Sequence, residues 1–335
     1  MVAQPHAPDL ANHVHGDHLE SLLKFSAGQW NTLVNIGLAL CGLAGQVCIG
    51  TNILPRWPCF FYNSIRVPIF MTISQRLQAT WSGNGERVLA LSHGFGSDQT
   101  AWNQIRPALD AGFRVLSYNL AGCGDEGASS YKPEVHGSLF GYADELLALL
   151  DEQGLQKVSY VGHSVSGMIG MIAASARPEL FERLVLLQPS PCYLNDAVTG
   201  YVGGFQQGDL DALYAAMATN YQSWAAGFVP MVMGVDDAHV LARFSETLFK
   251  IRPDIARHIL RMIFQSDHRD LVPRVITPTH FLHSRKDAAV PVDVAQWLHA
   301  QIPGSVLEIL ELEGHLPHLT QPAVVANAVL RHLAA

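Results

Sequence analysis

Hydrophobic and polar positions change period along this chain, and the changes mark its elements. Arg87-Val88-Leu89-Ala90-Leu91-Ser92 is a short apolar run, the pattern of a strand covered on both faces of a parallel sheet. Comparable runs recur at residues 112–118, 157–161, 184–187, 280–283 and 306–310. Between the second and third, Leu139, Tyr142, Leu146 and Leu149 keep helical spacing, and Gly154 ends that helix. Apolar strands alternating with amphipathic helices predict an α/β fold, a mostly parallel sheet with helices on both faces. From about residue 192 to 267 the alternation stops. Leu210, Leu213, Tyr214 and Met217 form one stripe; Val240, Leu241, Phe244 and Leu248 form a second; Ile255, Ile259 and Ile263, behind Pro253, form a third. Helix following helix between two strands predicts an insertion, a lid. Alternation then resumes, with a helix opening at Pro291 and a closing helix over 323–333. No repeat or low-complexity tract appears after residue 70.

Residues 1–70 do not share this pattern. Residues 25–55 carry no charged side chain, and 33–50 are apolar except for Asn35 and Gln46. That length lies near the lower limit for a membrane span, and its glycines weaken it as a helix. A secretory signal fits poorly, because the leading region is long and contains acids. Three readings stay open for this N-terminal extension: a disordered tail, a membrane anchor through 33–50, or translation from a misplaced start upstream of Met71. The sequence does not separate them; a dispensable or poorly ordered extension is preferred over a true anchor, and membrane contact is expected only if 33–50 is a real anchor. His13, His15 and His18 could form a metal tract, but their polar surroundings favour a solvated tail. Residues 71–335 are expected to form the folded domain.

Composition narrows the function classes. The chain has 335 residues, 49% hydrophobic and 15% charged, enough for one large core. The net charge is −8, and residues 1–70 contribute none of it. An acidic surface argues against nucleic-acid binding, which calls for a basic face. Five cysteines, three of them within the first 60 residues, make no disulfide framework. They fit a reducing compartment, and the cytoplasm is expected.

The chemistry is carried by Gly162-His163-Ser164-Val165-Ser166-Gly167, which lies between the run at 157–161 and an apolar helix that stops near Pro178. A serine on a tight strand-to-helix turn, flanked by small residues, is a nucleophile elbow. The usual spacing is G-x-S-x-G; here Ser166 stands at the second glycine, and serine is small enough to fit. Such short strings also arise by chance, so the partners matter. A serine needs a base, and the base needs an acid to orient it. In an α/β-hydrolase fold they follow in the order serine, acid, histidine, each in a loop after a strand. Asp287 follows the run ending at His283, and His315 follows the run ending at Leu310. Asp293 and His318 are the nearby competitors, but Asp293 falls in the helix opened by Pro291 and His318 lies one turn further on. The oxyanion hole is expected from the N–H of Val165 and that of Phe95 in His93-Gly94-Phe95-Gly96. This machinery calls for no metal and no cofactor. A serine at the elbow also excludes the dehalogenases and epoxide hydrolases that use a carboxylate there.

Longer stretches resemble one family. His93-Gly94-Phe95-Gly96-Ser97-Asp98-Gln99-Thr100-Ala101-Trp102 is similar to the oxyanion loop of the RsbQ-type hydrolases. These include a bacterial stress-response regulator and the plant karrikin and strigolactone receptors. Gly162-His163-Ser164-Val165-Ser166 looks like the plant members' elbow. Pro189-Ser190-Pro191-Cys192-Tyr193-Leu194-Asn195-Asp196 looks like the bacterial member's lid entry. Gly203-Gly204-Phe205, Asn220-Tyr221-Gln222-Ser223-Trp224, Gly227-Phe228 and Phe264-Gln265-Ser266-Asp267-His268-Arg269 match as well. The likeness runs from about residue 75 to the C-terminus. It implies a four-helix, V-shaped lid over an apolar pocket lined by Phe95, Tyr193, Trp224, Phe228 and Phe264. It implies a small apolar ligand (an ester, a lactone or an enol ether). Two roles follow: a serine hydrolase working through an acyl-enzyme, or a ligand sensor that hydrolyses slowly and contacts a regulatory protein partner, a phosphatase in the bacterial case.

Overall fold

Among the described residues, seven strands form one sheet in the order β1-β3-β2-β4-β5-β6-β7. They are β1 Thr80–Ser82, β2 Arg87–Ser92, β3 Phe113–Tyr118, β4 Val158–His163, β5 Phe181–Leu187, β6 Thr279–Lys286 and β7 Val306–Glu313. Only β1 runs antiparallel, along the outer edge of β3. The computed structural model describes residues 71–334. The expectations for residues 1–70, including the anchor at 33–50 and the histidines at 13, 15 and 18, lie outside the described residues. Among the described residues, no helix is long and apolar enough to cross a membrane.

Among the described residues, the helices of ten or more residues are α1 Leu139–Glu152, α2 Val165–Ala176, α3 Gln207–Thr219, α4 Tyr221–Met233, α5 Ala238–Lys250, α6 Pro253–Gln265, α7 Val292–Gln301 and α8 Pro322–Ala334. One face of the sheet packs on α1, α2 and α7 through side chains such as Leu146, Met168, Ile172, Leu184 and Val294. The other face, with Leu89, Leu91, Val161, Val185 and Leu282, packs on Trp102, Ile105 and α8. Central strands therefore bury both faces; every residue of β4 is buried. This explains why they read as unbroken apolar runs. The edge strand β1 is three residues long and only partly buried, too short to register as a pattern.

The chain runs from β2 outward to β3, then returns across β2 to β4. Between β2 and β4 the strand order reverses, and the loops leaving their C-terminal ends diverge to leave a crevice. Phe95 follows β2 and Ser164 follows β4, so this topology places both at the crevice.

Helices α3 to α6 all lie between β5 and β6. Three match the stripes at Leu210, Phe244 and Ile259. The fourth, α4, carries Gly227 and Pro230 and is apolar nearly all round, so it shows no stripe. It ends at Gly234, whose φ of +66° suits a residue without a Cβ. The base of the insertion is joined by a bridge between Cys192 and Asp267. Arg269 pairs there with Asp267 at 2.7 Å and Asp196 at 2.9 Å. Cys123 and Cys192 are both free thiols and both buried.

Candidate active site

Ser164 sits between the last residue of β4 and the first of α2, at φ 55° and ψ −121°. Left-handed backbone of this kind costs an L-residue on the order of 1–3 kcal/mol. It is held by the surrounding chain: the Ser164 N–H donates to the Leu187 carbonyl at 2.8 Å, and the Gly167 N–H to the Ser164 carbonyl at 2.8 Å. Gly162 allows the turn, since a Cβ there would lie 2.6 Å from the Ser166 carbonyl.

Ser166 does more than fit. It is fully buried. Its hydroxyl donates to the His93 carbonyl at 2.5 Å and accepts from Ser92 at 2.8 Å. The hydroxyl thus ties α2 to the loop that carries Phe95, a contact a glycine could not make.

The Ser164 hydroxyl donates to His315 Nε2 at 2.8 Å. His315 Nδ1–H donates to Asp287 Oδ2 at 2.7 Å. Asp287 also accepts from the N–H groups of Ala289 (2.8 Å) and Val290 (3.1 Å) through its other oxygen. Burial by itself raises the Asp287 carboxyl. The charge and hydrogen bond of His315, with His283 and the Ala289 N–H, outweigh it and hold the carboxyl below its usual range. It is therefore an acceptor only, which sets Nδ1 of His315 as the protonated nitrogen and leaves Nε2 free to accept from serine.

Backbone contacts hold His315 on both sides. Its N–H donates to the Val232 carbonyl on α4 at 2.7 Å. Its carbonyl lies 2.7 Å from Nε2 of His163. Gly314 packs on the end of α4, where a Cβ would meet the Met233 carbonyl at 2.0 Å.

Val165 is the first residue of α2, so its N–H has no partner within the helix. Phe95 lies in the loop after β2, and its N–H donates to no backbone carbonyl among the described residues. The competitors fall elsewhere. Asp293 is exposed in the first turn of α7. His318 is fully buried, stacked on Trp102 with ring centroids 4.8 Å apart, and neither of its ring nitrogens has a partner among the described residues.

Ser164 and His315 open into a cavity with Phe95, Tyr193, Phe228 and Phe264. Val232, Phe244, Leu260, Ile263, Ala289 and Leu316 complete the wall. The space between its lining atoms is about 420 Å³. The site is small and mostly apolar. Tyr193 adds a polar note: burial pushes its phenol up, and the nearby Ser164 hydroxyl draws it part of the way back.

Trp224 is not in the wall. It stacks behind Phe228, centroids 4.7 Å apart, because the two are one helical turn apart on α4 and only the later one reaches the cavity. Phe244 and Ile263 were visible as stripe residues, but a stripe does not say whether it faces a core or a cavity. His163 carried no separate signal in the sequence.

Residues 88–328 match the Alpha/beta hydrolase family. The chain is 47% identical over 253 residues to Karrikin insensitive 2 receptor CA of Petunia hybrida, covering 75% of this chain and 93% of that one. It is 41% identical over 262 residues to Strigolactone esterase D14 of Arabidopsis thaliana, covering 78% and 97%. Among solved structures, a hydrolase from Oleispira antarctica superposes with a TM-score of 0.75 at 32% identity, covering 77% of this chain and 95% of that chain.

Proposed function

The chain belongs to the alpha/beta hydrolase family, among its karrikin- and strigolactone-receptor-like members, and we propose that it hydrolyses a small apolar ester or lactone. Ser164 Oγ attacks the acyl carbon while His315 Nε2 takes its proton. The N–H groups of Phe95 and Val165 hold the oxyanion that forms on the carbonyl oxygen. The resulting imidazolium, steadied by Asp287, returns the proton to the departing alkoxide. An acyl group is left on Ser164, and water activated by the same imidazole releases it as the acid. Helices α3 to α6 act as the lid that keeps bulk water from this exchange.

The observation that carries the reading is the pair of contacts at 2.8 and 2.7 Å joining Ser164, His315 and Asp287 beside an apolar cavity. Small size and apolar walls favour compact, uncharged acyl groups. The test is turnover of p-nitrophenyl acetate. Ser164→Ala is expected to lower kcat by ~10³-fold or more, and the intact protein is expected to carry an acetyl adduct on Ser164 by mass spectrometry. Equal rates in the two proteins would remove the proposal.

A second reading has one observation behind it: the Petunia relative is named a receptor. In this reading the same pocket senses a small apolar ligand, hydrolysis is slow, and a regulatory protein reads the occupied state. Accumulation of the acyl-enzyme with slow release, together with a melting shift on ligand addition, favours sensing. Rapid steady-state turnover of many esters favours the first reading.

A further inference from the structure

We propose that His163 is a positioning residue for His315: its imidazole N–H holds the His315 carbonyl and so sets the imidazole at 315 against Ser164. This rests on the proposed roles of Ser164 and His315, and it adds a fourth side chain to the arrangement.

The protonation state of His163 follows from its surroundings. Nε2 lies 2.7 Å from the His315 carbonyl. A carbonyl oxygen only accepts, so Nε2 carries the hydrogen. Nδ1 is buried without a partner among the described residues, and a bare lone pair there is the form that leaves no donor unsatisfied. Burial, then the neighbouring His318 and His315 rings, lower the His163 pKa well below its ordinary value. The ring is therefore neutral. A cation in that place would oppose the positive charge His315 gains during proton transfer.

The place of the ring in the fold gives the bond its consequence. His163 ends β4 and directly precedes Ser164, whereas His315 follows β7, with β5 and β6 lying between in the sheet. The nucleophile and its base therefore reach the site on loops from separate strands. His163 joins those loops directly, with its ring 5.1 Å from the His315 ring, centre to centre. The peptide on the other side of the His315 Cα is held too, by the bond from the His315 N–H to the Val232 carbonyl. Gly94 makes room for the ring: a Cβ on Gly94 would lie 2.5 Å from His163 Nδ1. Without the bond, one of two restraints on the His315 backbone is gone, and small displacements at a reacting pair are expensive in rate.

The experiment compares His163→Gln with His163→Met. The two side chains have the same length, but only the glutamine amide can donate where Nε2 stood. With p-nitrophenyl acetate, the Met variant is expected to lose ~10-fold or more in kcat with KM within about twofold, and the Gln variant to stay within about threefold of wild type. Equal kcat in the two variants overturns the proposal. Ser164→Ala measured alongside separates the layers: if it still turns the ester over, the catalytic reading itself fails. If it is inactive while Gln and Met agree, only the role of His163 falls. Should the Met variant fail to fold, imidazole ¹⁵N spectra of the wild type decide. The Nε2–H tautomer is expected for His163, and the Nδ1–H tautomer overturns the proposal.

Discussion

Asp287 shows how much one side chain can depend on its partners. Buried and held below its usual pKa by His315, it acts as a fixed negative acceptor. Asp287→Asn keeps the shape and can keep the bonds from Ala289 and Val290, but it offers an amide that no longer selects Nδ1–H on the imidazole. We expect kcat toward p-nitrophenyl acetate to fall by ~10³–10⁴-fold, with KM little changed; initial rates over a range of substrate concentrations check this. Ser164, Asp287 and His315, the three side chains the structure brings into contact, could be singled out along the chain because chain order and strand ends are local facts. Ser166 was legible only as a small residue. Its bonds to Ser92 and the His93 carbonyl join segments more than 70 positions apart, which no local pattern encodes.

At the scale of elements, the junction between α4 and the His315 loop is the most sensitive place. Gly314 has φ +96°, and a Cβ there would meet the Met233 carbonyl at 2.0 Å. Gly314→Ala therefore combines a disfavoured backbone conformation with a collision against the end of α4. We expect it to cost about 2–4 kcal/mol of stability, read by urea denaturation. Activity should fall as well, since the collision displaces the bond from the His315 N–H to the Val232 carbonyl. Strand positions were readable because double burial makes them apolar throughout. Helices α3, α5 and α6 were readable because each buries one face. Helix α4 was not readable by spacing: it buries one face through Trp224, Ala225, Val229, Val232 and Met233, but its exposed face carries Ala226, Gly227, Pro230 and Met231 rather than charged residues, so hydrophobicity does not follow burial, and the helix entered the reading only through the family resemblance.

For the whole molecule, the fold holds several histidines neutral beneath the site. Burial first, then the charges of His315 and His93, lower His318 to about 3, and burial likewise lowers His93 and His163. Each is neutral in the fold but free to protonate once unfolded. Below pH 6.5 the unfolded chain therefore binds more protons, and stability falls as pH falls, until each folded-state pKa is reached. For His318 alone the loss between pH 6.5 and pH 5 is on the order of 2 kcal/mol. His318→Phe preserves the stack on Trp102 and removes the titrating group. Its melting midpoint should fall less than that of the wild type between pH 7 and pH 5. A parallel fall in both proteins would assign the acid sensitivity to other groups.

The sequence by itself determined the α/β class, the place of the helical insertion, and the order of Ser164, Asp287 and His315 at strand ends. All three depend on burial period and neighbour chemistry, which act over a few residues. Only the tertiary structure decided which aromatic side chains reach the cavity, with Phe228 in its wall and Trp224 behind it. It alone showed that the backbone of His315 is gripped by α4 on one side and His163 on the other, and that Ser166 bonds across to the loop after β2. Those are contacts between residues far apart in sequence, set by how helices and loops lie over one another, and hydrophobic spacing holds no record of them.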